Sequence, residues 1–408
     1  MEYNFDELLN RRDTDSLKYG ALQERWGRTD LLPLWVADMD FRTPDFIIDA
    51  LRRRLQHEVL GYTMPHPDWR HSIIDWQWER HGWRVQEDEI SFVPGIVRGI
   101  AFILQCFTAP GDRVLVMNPV YHPFFLTAQH NGRTVVYHTL QWGDIDTPAG
   151  PLHQYVIDFD RLDHDLEGVK VMVLSNPHNP GGRVWSPDEL RRIALLAERH
   201  GTLVVSDEIH ADLTLLPYRH TPYATVSETA RQHSFTFSSP SKAFNTPGIV
   251  TSYCIVPNAD LRRLYFDYLA ASELNEGNMF AQLTCVQAYR HGADWLQQVK
   301  EYISANINYV IDYCRLHLPG IVAVRPQAGY LVWLDCRALG LSHDGLLHLF
   351  IDQAHLALND GEIFGTGGKG FMRLNAAAPR SVIEEALKGL STALPKGLSP
   401  TLPKREGE

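Results

Sequence analysis

Residues 170–182 read Lys-Val-Met-Val-Leu-Ser-Asn-Pro-His-Asn-Pro-Gly-Gly. The first six carry no polar alternation, as expected of a strand buried on both faces, and the remainder is built from turn formers. Ser186-Pro187-Asp188-Glu189 then supplies an N-cap, a proline at the first helical position and a capping-box glutamate. That helix should run to His200 and stop at Gly201, with the next buried strand at Thr202–Ser206. Strand, helix and parallel strand together make one unit of an α/β layered domain.

The same rhythm extends in both directions. Ile90–Val93, Arg113–Met117, Arg133–Leu140, Ser234–Ser238 and Thr251–Val256 read as further strands, with an apolar helix from about Gly95 to Phe107. A mostly parallel sheet covered on both faces is expected over 46–287. Beyond about Trp295 long helices dominate, with strands at Gly329–Asp335 and Gly370–Asn375, which predicts a smaller domain over 288–394. The end, 395–408, has the proline and charge content of a disordered tail. Trp69, Trp76 and Trp83 are seven apart, a helical spacing that suits core or interface packing better than an aromatic ligand cage.

With 408 residues the chain exceeds what one hydrophobic core usually supports. Its 38 basic and 49 acidic residues give −11, which argues against a nucleic-acid binder but not against a local pocket for a small anion. Cys106, Cys254, Cys285, Cys314 and Cys336 are odd in number and form no C-x-x-C pair, so reduced thiols in a cytoplasmic protein are expected. The start of the chain lacks a signal-peptide pattern, and no apolar stretch approaches the ~20 residues of a membrane helix.

Ligands of open α/β sheets sit beyond the carboxyl ends of the strands. Three polar clusters follow consecutive strands there: Asn176–Gly182, Asp207-Glu208-Ile209-His210 and Ser239-Pro240-Ser241-Lys242. Each has a plainer reading. The first can be a double turn. Asp207, Glu208, His210 and Asp212 could hold a metal, although no H-E-x-x-H-like spacing supports it. Ser239-x-x-Lys242 fits a serine acyl-enzyme motif, but its S-D-N and K-T-G companions are missing.

Taken together, Asn179-Pro180-x-Gly182, Asp207-x-x-His210 and Ser239-x-Ser241-Lys242 resemble the pyridoxal-phosphate site of the fold-type I, class I/II aminotransferase superfamily. Trp35–Phe41, Gly61-Tyr62, Ser206–His210, Ser241–Asn245 and Arg373-Leu374-Asn375 are similar to the MalY/PatB-type cystathionine β-lyases, in unchanged order from the N-terminus to about Leu394. The resemblance implies an aspartate aminotransferase-like fold in which residues 1–45 join the smaller domain. It implies pyridoxal 5′-phosphate as cofactor, with Lys242 carrying its aldehyde and later moving a proton, and Asp207 facing the ring nitrogen. Asn179 would bond the ring's phenolic oxygen, His210 would be a further cofactor contact, and Tyr121 would stack on the ring. Gly95, Ile96 and Val97 would offer amides to the phosphate, Ser239 and Ser241 hydroxyls, and Tyr62 would reach it from the neighbouring subunit of a homodimer. Arg373, with Asn179 and Ala37, would hold the substrate's carboxylate.

Two departures from aminotransferases stand out. His210 occupies a position where they commonly carry Tyr, and Val250 stands where many place a basic residue. The implied reaction is β-elimination from an L-amino acid with a sulfur leaving group, Lys242 or Tyr121 serving the departing thiolate. Transamination on the same scaffold, or service as a regulatory binding protein, are the other readings of the same residues.

Overall fold

The computed structural model describes residues 2–394; the tail 395–408 lies outside the described residues. Seven strands form the larger sheet: β1 (Ile90–Val93), β2 (Arg113–Asn118), β3 (Thr134–Thr139), β4 (Val169–Ser175), β5 (Leu203–Asp207), β6 (Ser234–Ser238) and β7 (Ser252–Ile255). Their spatial order is β1-β7-β6-β5-β4-β2-β3. β7 runs antiparallel to both of its neighbours, and the pairs from β6 through β3 are parallel.

The central strands lack polar alternation because both faces are covered. Val171, Val173 and Val205 enter one core with helices α1 (Ile96–Phe107) and α3 (Ala259–Ala271). Met172, Leu174 and Val204 enter the opposite core with helix α2 (Pro187–Arg199). Successive side chains of a strand point to opposite faces, so an unbroken apolar run serves two layers. The expected capping box of α2 is present: Glu189 N–H donates to Ser186 Oγ at 3.2 Å and Ser186 N–H to Glu189 Oε2 at 2.7 Å.

A second, antiparallel sheet joins β8 (Val322–Val324), β9 (Leu331–Asp335), β11 (Phe371–Asn375) and β10 (Asn359–Asp360) in that order. Helices α4 (Ala293–His317) and α5 (Arg380–Ala393) pack against it. The N-terminal arm crosses to this region, where Leu32–Pro33 pairs in parallel with Leu356–Ala357. Not foreseen from sequence were β8, β10, that short pairing, and a hairpin of Gln141–Ile145 with Leu152–Val156.

Trp69, Trp76 and Trp83 are core residues, and Trp76 stacks on Tyr289 at 4.8 Å. All five cysteines are free thiols. Among the described residues no helix is long and apolar enough to cross a membrane.

Candidate active site

Parallel pairing sets the strand ends side by side: Ser175 of β4 is level with Asp207 of β5, and Asp207 with Phe237 of β6. The loops after these strands therefore open onto one edge of the sheet. Asp207 is the last residue of its strand and is buried. Its Oδ1 accepts the Ile209 amide at 3.1 Å, but burial dominates and pushes the carboxyl up to about 7, tempered by the Lys242 ammonium. Its neighbour Glu208 points elsewhere, accepting from Ser206 Oγ (2.8 Å) and the Tyr223 amide (2.8 Å), with His220 Nε2 at 2.9 Å from its other oxygen. Asp212 accepts Trp76 Nε1 at 2.9 Å. These side chains serve the core, and among the described residues no His/Cys/Asp/Glu cluster could hold a metal ion.

Burial pushes His210 down to about 3, so its imidazole is neutral, and its Nδ1 has no hydrogen-bond partner among the described residues. Asn179 Oδ1 accepts Arg373 Nη1 at 2.9 Å, and the Asn179 carbonyl accepts the Tyr121 amide at 3.0 Å. Arg373 is 3% exposed, rides over the Phe364 ring at 4.7 Å, donates Nη2 to the Trp35 carbonyl at 3.3 Å and leaves Nε unpaired. Among the described residues no carboxylate pairs with this buried guanidinium, and desolvation lowers it to about 10. It stays a cation at neutral pH.

Lys242 follows the β6 end and donates Nζ to the Ala37 carbonyl at 2.7 Å; burial lowers its ammonium to about 8. Ser239 and Ser241 sit beside it. Ser239 Oγ contacts Ser241 Oγ at 3.0 Å and donates to the Thr251 carbonyl at 2.8 Å, tying this loop to the entry of β7. On the other side of β7 stands the start of α1. Gly95 has φ +110°, a conformation essentially confined to glycine. Its own N–H donates to the Val93 carbonyl at 2.8 Å. This corrects one sequence expectation: the Gly95 amide is consumed by a tight turn, and the Ile96 and Val97 amides are the first-turn donors without an intrahelical acceptor.

The roof of the site was only partly anticipated. Ala37 belongs to a segment clamped by a network that sequence reasoning missed. Lys18, fully buried, contacts Asp38 Oδ1 at 2.8 Å and Asp40 Oδ2 at 2.9 Å, while Arg11 contacts Asp38 at 2.7 Å and Asp40 at 2.6 Å. Asn375 Nδ2 donates to the Val36 and Asp38 carbonyls (2.7 and 2.6 Å), and Tyr330 OH shares the Ala37 carbonyl with Lys242 (2.9 Å). Asn245, three residues past the lysine, fastens the segment from below: its Oδ1 accepts the Met39 amide and its Nδ2 donates to the Phe41 carbonyl.

Ala37, Tyr121, Lys242 and Arg373 line one cavity of about 1010 Å³, joined by His122. Asp207, Asn179 and His210 are not on its wall; Asn179 joins it through Arg373. Tyr62 is not brought to this cavity within one chain. It is fully exposed, in an irregular stretch with exposed Val59, Leu60 and Met64.

Residues 29–390 match the family described as aminotransferase class I and II. The chain belongs to that family. It is 39% identical over 393 residues to cystathionine beta-lyase PatB of Bacillus subtilis, covering 96% of this chain and all of that protein. It is 32% identical to protein MalY of Escherichia coli K12, covering 96% and 99% of the two chains. The crystal structure of cystalysin from Treponema denticola, which contains pyridoxal 5′-phosphate, superposes with a TM-score of 0.90 at 33% identity, covering 96% of this chain and 99% of that one. The family is pyridoxal-phosphate dependent, and this site fits the group. A carboxyl raised by burial and held by one amide, a His210 Nδ1 without a partner among the described residues, the first-turn amides of α1 and the two buried serines are polar groups suited to a protonated ring and a phosphate.

Proposed function

We propose that this protein is a pyridoxal-phosphate-dependent C–S β-lyase, cleaving the Cβ–S bond of cystathionine or related cysteine S-conjugates to thiol, pyruvate and ammonia. The observation that carries the reading is Lys242: a buried amine lowered to about 8, sharing a cavity with the unneutralised Arg373 guanidinium. Relatives named cystathionine beta-lyase over almost the whole chain support the same reaction.

Lys242 would hold the cofactor covalently, Asp207 its ring nitrogen, Tyr121 and His210 its ring, and Ile96, Val97, Ser239 and Ser241 its phosphate. The bound cofactor supplies an electron sink for the charge developing at Cα. Arg373 takes the substrate's α-carboxylate through a planar fork that a lysine cannot offer, and Asn179 holds that fork in place. Lys242 Nζ, once released, removes the Cα proton; an amine near 8 is well matched to general-base work around neutral pH. Tyr121, whose hydroxyl burial keeps protonated, and Lys242 are the groups on the cavity wall able to give a proton to the departing sulfur.

The working unit in this reading is a cytoplasmic homodimer in which Tyr62 of each copy serves the other's phosphate site. Its full exposure, next to other exposed apolar side chains, supports that role. The proposed domain division is 1–45 with 288–394, and 46–287 for the cofactor.

Purified holoenzyme incubated with cystathionine should release thiol and pyruvate with no keto acid added, and Lys242→Ala should lose both pyruvate release and the cofactor's visible absorbance. Strict dependence on an added keto acid would make the protein an aminotransferase instead.

A further inference from the structure

The cavity extends past the residues assigned above. At about 1010 Å³ it must hold the cofactor on Lys242 as well as the substrate, and its wall includes residues with no role assigned above. Its exposed rim carries two further cations, Arg25 and Lys369. Glu362 is the one acid on the cavity wall, and it stands 3.3 Å from His343 Nδ1. Among the described residues neither Arg25 nor Lys369 has a carboxylate within ion-pair distance.

Both cations are mounted on the elements that hold Arg373. The Arg25 guanidinium lies over the Trp35 ring at 4.3 Å, and the carbonyl of that same Trp35 accepts Arg373 Nη2 at 3.3 Å. Lys369 ends the Gly361–Gly368 turns, whose Phe364 ring lies under Arg373 and whose Thr366 accepts Asn118 Nδ2 at 2.8 Å. His122 lies within the electrostatic reach of both Arg373 and Arg25, and burial together with these two cations lowers it to about 4. His122, which also lines the cavity, is thus a neutral imidazole. Leu17, Val36, Phe125, Leu126 and Ile363 make the rest of that wall apolar, suited to the thioether chain.

We propose that Arg25 and Lys369 form a second anion subsite at the cavity mouth, which takes a carboxylate at the far end of the substrate's sulfur-bearing arm. This deepens, and rests on, the C–S lyase reading. It assigns as preferred substrates those cysteine S-conjugates whose leaving thiol carries a free carboxylate, amino-acid thiols included. In a chain of net charge −11, such a local pair of cations is what lets an anionic arm approach.

The test compares S-(2-carboxyethyl)-L-cysteine with its neutral isostere S-(2-carbamoylethyl)-L-cysteine on the holoenzyme, reading kcat/KM from pyruvate release. The carboxylate should be preferred by about tenfold, as expected of two partly exposed ion pairs of about two- to fivefold each, with the difference in KM. In Arg25→Gln/Lys369→Gln the ratio of the two substrates should fall to near one. Because the ratio is internal to each variant, a general loss of folding does not mimic this result. An unchanged ratio in the double variant, or no preference in the wild type, overturns the subsite. Failure of the wild type to release pyruvate from either conjugate, or from S-propyl-L-cysteine, overturns the lyase reading itself.

Discussion

The half-buried Asp38 and buried Asp40, and the buried Asp207, all near Lys242, are treated in opposite ways. Asp38 and Asp40, above it, each meet both Arg11 and Lys18, and those cations hold Asp38 below the usual carboxylate range despite burial. Asp207, on the sheet side, receives one backbone amide and is pushed up to about 7. The first arrangement spends its charges on each other and fixes a loop. The second leaves a carboxyl short of partners, the state expected of a group that a ligand completes. Burial is common to both; what differs is whether the partner comes from the chain.

The largest separation of the two sites should be seen in catalysis. Asp207→Asn should lower kcat for pyruvate release by about 10²-fold or more, the scale of losing one preorganised charge at a reacting centre. Retained activity would put Asp207 with the structural acids. In stability the order reverses. Lys18→Met leaves two buried carboxylates with one cation and should cost about 3–5 kcal/mol in urea unfolding. The exposed Arg52–Asp49 pair is the control, and Arg52→Met should cost about 0–1 kcal/mol. Equal costs for the two variants would erase the distinction.

A third contrast is in pH. Unfolded, Asp207 ionises near 3.8; folded, near about 7. Between those values the native state keeps the extra proton, so stability falls as pH rises through the window. In cofactor-free protein, Asp207→Asn should therefore gain several degrees in Tm over wild type between pH 4 and pH 7, and little more above. Asp38 has the opposite sign: its lowered value contributes stability at neutral pH that is lost as pH falls through its folded value. An intermediate effect, between those of Lys18→Met and Arg52→Met, is expected at Gly95→Ala. No atom lies closer than 3.9 Å to the added carbon, so only the φ of +110° is penalised, by about 1–3 kcal/mol, read from the melting midpoint.

The same contrast explains what the sequence made legible. β1 and β6 match the structure to the residue, and β4 and β5 to within one, because a short run rich in apolar, aromatic or β-branched residues ended by turn formers is a local signal. Lys242, Asp207 and Ser239 follow from that placement, since ligands gather beyond strand ends. The clamp around Ala37 had no such signature. Lys18 lies 22 residues from Asp40, in a stretch with only short helices, and a lysine there reads as solvated until the fold buries it. Tyr330 was part of a strand-like run, and its hydroxyl bond to Ala37 crosses 293 residues. Gly95 was found by its place after a strand, but which way its N–H turns is a backbone angle that composition does not encode.

Chain order adds a consequence. The roof is sewn from both ends of the polypeptide: Leu34 donates its amide to the Ala357 carbonyl and accepts from the Asn375 amide, and Asp40 donates to the Ala377 carbonyl. The residues that present Ala37 to Lys242 are made more than 300 residues before Asn375 and Ala377, which hold them through the main chain. The sheet that bears Lys242 is complete by residue 255, more than 100 residues before Asn375. A nascent chain therefore finishes its strand ends long before the main-chain partners of the roof exist, and a reading frame broken just before Leu356 would leave that roof to Arg11, Lys18 and Asn245.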